Sequence, residues 1–595
     1  MRINRNLRLA GTAALLSGIA WPIVAQAQQT APPTREEIQR DQLDQRLRAR
    51  GDAVSVEGAI ERAPCPLANP QFANIRFTLR EAQFSGLGPV DPAILRDSWA
   101  TFAGQDMPVA AVCEIRDRAA TALRRAGYLA AVQVPVQTIE NGIVKFDVIL
   151  ARVSDVQVRG EAGPSAAALQ KYIDKLTGQP VFNIDDAERY LLLARDIPGL
   201  DVRLTLQPAP RDAGAQPGDV IGVFNVERTP VYADLNVQNF GSKSVGRFGL
   251  LGRVRVNGLT GLGDETTLSA YTTADFEEQL VLQGAHEFRL GGEGLAVGFG
   301  ATKAWTKPAI PGPDAFESDT LIGTIYANFP FIRSQTKNLY GTAGFELIDQ
   351  NATFGGLPLS EDNLRVAFAR LDFTAIDRDS ILGRGGYSPF EPKIAVAGAL
   401  ELRQGLDVLG ASEGCGAGLA NCFGPGLVPP SRLDGDPTGF VVRVAGQIDL
   451  RPMPLLMFSL KPRAQWTSDA LLTYEQFSGG NYTVGRGYDP GAVIGDSGLG
   501  AQFEVAYGSL MPETPNGFAF QPYIFADHIA VWTENVSGDP QDLTSAGGGF
   551  RATIGRQASL DTSVSVPLET APLATRKGDP RFLMTLTVQL APWYD

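Results

Sequence analysis

Histidine is nearly absent from this chain. Its 595 residues contain two, His286 and His528. The four cysteines, Cys65, Cys113, Cys415 and Cys422, lie in two separated pairs with no histidine at ligand spacing. That removes the usual donor set of a metal centre, so no metal or other cofactor is expected. No phosphate-cradling GxxxxGK[ST] run occurs, which excludes a built-in nucleotide motor of that kind. The net charge is −13, whereas nucleic-acid binding needs a basic face. A catalytic nucleophile with a base beside it is also missing, and the chain is not expected to be an enzyme. His528 directly follows Asp527, so strand alternation turns their side chains apart. His286 reads as an ordinary strand residue.

Long apolar runs are missing too, except at the start. Arg2, Arg5 and Arg8 precede an apolar run at 9–24, and Ala25-Gln26-Ala27 follows as a small-x-small cleavage site. This order reads as an export signal over residues 1–27 rather than a membrane anchor, because the run is short and lacks flanking stop-transfer charges. An exported chain with an even number of cysteines suits disulfides. Four cysteines allow three connectivities, and the most economical joins neighbours, Cys65–Cys113 and Cys415–Cys422.

The chain is instead rich in turn residues, with 65 glycines and 40 prolines. Residues 28–64 begin with a loose leader. TREEIQRDQLDQRLRAR at 34–50 then reads as a helix, with Thr34 and Glu37 at capping-box spacing and Gly51 as its stop. So polar a helix has no core to bury; it either floats or sits in a wet cavity. Residues 65–151 predict a strand near 75–79, a helix over 110–126 and strands near 129–136 and 143–150, with Asn141-Gly142 as the hairpin turn. Residues 152–229 repeat this: a strand at 153–158, helices at 166–176 and 184–195, strands at 202–206 and 220–226.

From 230 to 595 helical periodicity disappears. Segments of about ten residues alternate small or polar with apolar residues between turns, as in 253–256, 267–270 and 585–590. At roughly 23 residues per strand and connection this stretch makes about sixteen strands. In lipid a sheet must close to leave no unpaired edge, so the predicted fold is a transmembrane antiparallel β-barrel preceded by two α+β domains. A soluble sandwich should not need so many strands, and no propeller repeat is visible.

Several motifs carry a family resemblance. AGYLAAVQVPVQTIENGIVKFDV at 126–148 is similar to the end of a POTRA domain. NGLTGLGD at 257–264 resembles a first periplasmic turn, and NFPFIRSQTKNLY at 328–340 a strand pair. The most specific run is EQFSGGNYTVGRGYDPGAVIGDSGLGAQFEV at 475–505, followed by QPYIFADHIAV and SAGGGFR. Together they resemble the TpsB two-partner secretion transporters over nearly the whole mature chain. That resemblance implies two periplasmic POTRA domains (65–151 and 152–229) and an outer-membrane barrel. It implies a long extracellular loop that folds back into the pore, with Gly485-Arg486-Gly487-Tyr488 at its tip and Asp527 on the wall as the partner of Arg486. Glycines at the tip would supply positive φ, and Tyr488 would pack its ring in the same pocket. Asp489 and Asp496 read as solvated turn residues. The chain departs from the family where Ile529 stands for a glycine two residues after Asp527. The implied partners are a large secreted β-rich exoprotein (TpsA-like), outer-membrane lipid and the barrel assembly machinery, with export driven without ATP. The alternative is a BamA-like assembly factor for other barrels.

Overall fold

The computed structural model describes residues 33–39, 56–57, 65, 67, 69–177, 179–210, 214–309, 316–536, 540–555, 557–572 and 574–592. The expected signal peptide, and the expected helix beyond residue 39, lie outside the described residues.

Sixteen antiparallel strands close into a barrel in chain order: β1 Val231–Gln238, β2 Gly249–Asn257, β3 Glu265–Thr273, β4 Gln279–Leu290, β5 Leu295–Thr306, β6 Phe316–Arg333, β7 Lys337–Phe354, β8 Leu357–Ile376, β9 Ile394–Gly405, β10 Phe440–Met453, β11 Leu456–Trp466, β12 Ser497–Tyr507, β13 Phe518–Trp532, β14 Gln541–Ile554, β15 Ala558–Pro567 and β16 Arg581–Ala591. β1 closes the cylinder on β16, with Leu235 opposite Val588. Residue alternation gives each strand a wet face and an apolar face. On β13 the inward set is Gln521, Tyr523, Phe525, Asp527 and Ile529, all buried, whereas Phe518, Phe520, Ile524 and Trp532 are exposed on the outside. Leu282, Phe299, Leu321, Leu371, Leu400 and Phe582 continue that outer apolar surface around the barrel. In water such a belt would be an aggregation surface; in a bilayer it is the lipid contact. No described helix is long and apolar enough to span a membrane, and the crossing is made by strands. The barrel belongs in the outer membrane, with the α+β domains on its periplasmic side.

Two α+β units precede the barrel. In the first, helix α2 (Ala111–Arg125) buries Val112, Ile115, Ala119 and Leu123, spaced along one face, and Gly127 follows at φ +80°. It covers a three-stranded sheet in which Ile143–Leu150 lies between Ala130–Gln133 and a parallel strand, Glu81–Ser85. That parallel strand was missed in the sequence, because its five residues are mostly polar and its partner lies sixty residues on. In the second unit α3 (Ala166–Thr177) and α4 (Ile184–Arg195) cover the strands Arg152–Gly160, Leu200–Pro208 and Asp219–Arg228, burying Leu169, Tyr172, Ile173 and Leu191. The edge strand Leu200–Pro208 is extended by Val56–Glu57, which pairs with it in parallel. The units are joined by backbone bonds, Phe182 N to Ala151 O (2.7 Å) and Ile184 N to Gly127 O (2.8 Å).

The second unit seats on the periplasmic turns. Arg333, in the NFPFIRSQ run, forks onto Asp196 at 2.7 and 2.8 Å, and Lys175 meets Glu293 at 2.7 Å. The turn 258–264 packs on the start of α3, where an added Cβ at Gly263 would lie 3.1 Å from Ala168.

Candidate functional site

The connection from β11 to β12, residues 467–496, leaves the wall on the extracellular side and folds back into the lumen. Phe477–Gly479 pairs with Val493–Gly495 as a short hairpin, and nearly every residue from 470 to 488 is buried. A loop can be buried only if its backbone and charges find partners there.

The tip finds them on the wall. Arg486 forks onto Asp527, Nε to Oδ2 at 2.9 Å and Nη2 to Oδ1 at 2.7 Å, and its backbone amide donates to the same Oδ2 at 3.0 Å. The planar guanidinium matches the carboxylate in both bonds. The Asp527 side chain is fully buried and that of Arg486 only 13% exposed. Below the guanidinium lies Phe525, its ring centroid 3.5 Å from Arg486 Cζ. Phe525 fits there because β14 carries Gly547 opposite it; a Cβ at 547 would sit 2.6 Å from the ring.

A chain of charges continues around the lumen. Arg486 Nη1 is 3.3 Å from Glu504, which accepts from Arg551 at 2.5 and 2.8 Å; Arg551 also bonds Asp561 at 2.9 Å and lies over the Tyr523 ring. Reading the sequence missed Glu504, Phe525, Arg551 and Asp561. Their one signal is inward parity on adjacent strands, which needs the register Glu504↔Phe525 and Arg551↔Asp561 to become a cluster.

The two tip glycines do different work. Gly485 adopts φ +113°. Gly487 has no positive φ and is needed for space: a Cβ there would lie 2.9 Å from Ser545 Cβ and from the Pro567 nitrogen, and its amide donates to Ser545 Oγ at 3.2 Å. Tyr488 does not share the Arg486 pocket. It joins Phe477, Val484, Val493 and Ile529 in a neighbouring apolar cluster, and its hydroxyl donates to Thr544 O at 2.8 Å and accepts from Glu569 N at 3.0 Å. Ile529, the departure from the family pattern, fills this cluster against Gly479, where an added Cβ would sit 3.0 Å from the Ile529 side chain.

Asp496 is not a solvated turn residue: its side chain is fully buried and paired with Arg432 at 2.6 Å. The turn expectation failed because the partner is 64 positions upstream. Asp489 remains 42% exposed and pairs with Arg581 at 2.7 Å. At the foot of the loop Glu475 is held by Arg403 (2.7 Å) and Arg443 (2.8 Å), both inward-facing.

The described end of the leading segment also lies in the lumen. Helix α1 (Arg35–Ile38) carries the Thr34–Glu37 capping box. Ser478 of the returning loop donates to Glu36 at 2.9 Å, Arg463 of β11 is 3.6 Å from the same carboxylate, and Gln39 donates to Tyr474 at 3.2 Å. Helix α1 and the loop thus lie side by side in the lumen. Cys65 is bonded to Cys113 at the start of α2, and Cys415 to Cys422 in the extracellular connection after β9. His528 points outward, with Nδ1 2.8 Å from Thr544 Oγ1, and His286 lies among Phe288 and Phe299.

Comparison with known proteins places this geometry. Residues 392–552 match the family model of the haemolysin secretion/activation proteins ShlB/FhaC/HecB. The heme/hemopexin transporter protein HuxB of Haemophilus influenzae strain 86-028NP is 25% identical over 221 residues, 35% of this chain and 37% of that protein. The chain thus spans well under half the length of the curated relatives it matches. Among solved structures, CdiB from Escherichia coli superposes with a TM-score of 0.70 at 16% identity, covering 95% of this chain and 98% of that one. CdiB from Acinetobacter baumannii gives 0.60 at 14% identity, covering 99% and 100%. BamA from Haemophilus ducreyi lacking POTRA domains 1–3 gives 0.51 at 12% identity, covering 86% and 99%. The chain is thus similar to the two-partner secretion transporters through its motifs and through residues 392–552, and its fold is that of the CdiB structures.

Proposed function

We propose that the chain is an outer-membrane pore that takes one large, unfolded, β-rich exoprotein from the periplasm to the cell surface. The observation that carries this is the lumen: a closed barrel of sixteen strands, occupied by a returning loop and by the start of the leading helix, both tied to the wall by ion pairs as well as by apolar contacts. The periplasmic pair would capture the extended exoprotein along its sheet edges, which suit strand addition. The helix would leave the lumen, the loop would rearrange about Arg486 and Asp527, and folding outside would prevent return without ATP. The barrel assembly machinery would insert the pore into outer-membrane lipid.

The test is co-expression with a large, β-rich exoprotein from a neighbouring reading frame of the same genome, followed by assay of the medium. Export is expected from the intact chain and should be lost on deleting residues 65–228. Export that survives the deletion removes the capture step. Depletion that lowers many outer-membrane proteins would instead support the BamA-like assembly role, for which the structural likeness is weaker.

A further inference from the structure

The extracellular connection from β9 to β10, residues 406–439, takes no part in the tip site. It runs twice along the extracellular end of β8. On the outward leg Leu406 N donates to Arg365 O and Ser412 N to Asn363 O, each at 2.8 Å. On the return leg Glu361 N donates to Pro429 O at 2.9 Å, and Ser431 gives its amide (2.8 Å) and its hydroxyl to the buried Asp362. The Cys415–Cys422 disulfide crosslinks the excursion between the two legs. The connection is therefore a strap fastened to one side of the barrel, and its return leg carries Arg432 across the mouth.

Arg432 Nη1 lies 2.6 Å from each oxygen of Asp496, and its Nη2 donates to Glu534 O at 2.9 Å. Asp496 also accepts from Leu471 N (3.0 Å), Gln476 Nε2 (3.0 Å) and Glu534 N (2.8 Å). One buried carboxylate thereby gathers the strap, both legs of the returning loop and the connection from β13 to β14. A carboxylate stripped of water is tolerated only when donors saturate it. Arg432 is the one cation among these donors, and it comes from outside the loop. The knot is distinct from the tip, where Arg486 bonds groups on β12 and β13.

We propose that Arg432 and Asp496 form an extracellular clasp that shuts the outer mouth of the lumen at rest, with Arg432 a positioning residue for the returning loop. The clasp holds the loop from the outside, as Asp527 holds its tip from the wall. Ion flow through the resting barrel reads the clasp whether or not the exoprotein is exported, so its failure and that of the secretion reading are separable.

The experiment is single-channel recording of the purified full-length chain in planar bilayers, with heat-modifiable gel migration confirming a closed barrel. Arg432→Ala is expected to raise the frequency of open events at least about tenfold. Arg432→Gln should do the same. Arg432→Lys, which keeps a cation facing Asp496, should return the current toward wild type. Asp434 forks onto the same guanidinium at 2.7 and 2.9 Å and helps orient it, so Asp434→Asn should raise the open frequency less than Arg432→Ala does. Wild-type current in Arg432→Ala overturns the clasp. So does a lysine variant as leaky as the alanine one, or failure of both the alanine and glutamine variants to insert, which would make Arg432 a folding residue.

Discussion

Replacing Asp527 by alanine should free the loop tip without opening the barrel wall. The substitution removes both oxygens of the fork and the acceptor of the Arg486 amide. Stranding one member of a buried pair costs about 3–5 kcal/mol. Arg486 would keep Glu504 at 3.3 Å and the Phe525 ring, and it retains some contact with lumen water, so the lower end applies. About 3 kcal/mol corresponds to roughly a hundredfold rise in the population of displaced tips. Trypsin added to whole cells reports that population, because Arg486 can be cut only when the tip leaves the wall. The cleavage rate after Arg486, read by mass spectrometry, should rise by about that factor while heat-modifiable migration stays native. Export of the exoprotein should fall in parallel. Asp527→Glu, which keeps the charge, should fall between. Wild-type cleavage and export in Asp527→Ala would refute the assignment of Asp527 as the anchor.

Phe525→Leu removes the ring under the guanidinium but leaves the ion pair, so it should loosen the tip by about 1 kcal/mol in the same cleavage assay. In the periplasmic turn, burial pushes the Asp264 carboxyl up, but the Thr260 hydroxyl and the amides of Thr260, Leu259 and Leu262 outweigh this and hold it below the ordinary carboxylate range. A value depressed in the fold gives stability that is present above the unfolded value of about 3.9 and is lost as pH falls through the folded one. Exchange protection of the Leu259, Thr260 and Leu262 amides, corrected for the intrinsic pH dependence of exchange, should therefore persist at pH 4 and fall only below it, and Asp264→Ala should expose them at neutral pH. Replacing Cys65 and Cys113 by serine should lower the stability of the first periplasmic domain by roughly 2–4 kcal/mol, read as earlier proteolysis of residues 65–150 in the full chain.

The architecture was legible because its signals are local. Strand alternation, turn glycines and the spacing of Val112, Ile115, Ala119 and Leu123 each act within a few residues, and the barrel and α2 follow from them. The Arg486–Asp527 contact was legible only through motif resemblance, since 41 positions separate the two residues. The rest of the charge network was not. Glu504, Arg551 and Asp561 meet through the register of four strands, and register is fixed by the closed sheet rather than by any one segment. Asp496 was misread for the same reason. A Gly-Asp pair beside a strand usually marks a turn, and nothing near it announces an arginine on a distant strap.

The central claim is that the segment around residue 486 lies inside the barrel at rest. It can be measured by placing a cysteine at Val484, which is 1% exposed, in the intact outer membrane; the described chain has no free thiol to compete. A membrane-impermeant maleimide should leave Val484→Cys unlabelled while it labels Leu409→Cys, on the exposed strap, within minutes. Labelling at 484 as fast as at 409, with the barrel still folded, would contradict the account.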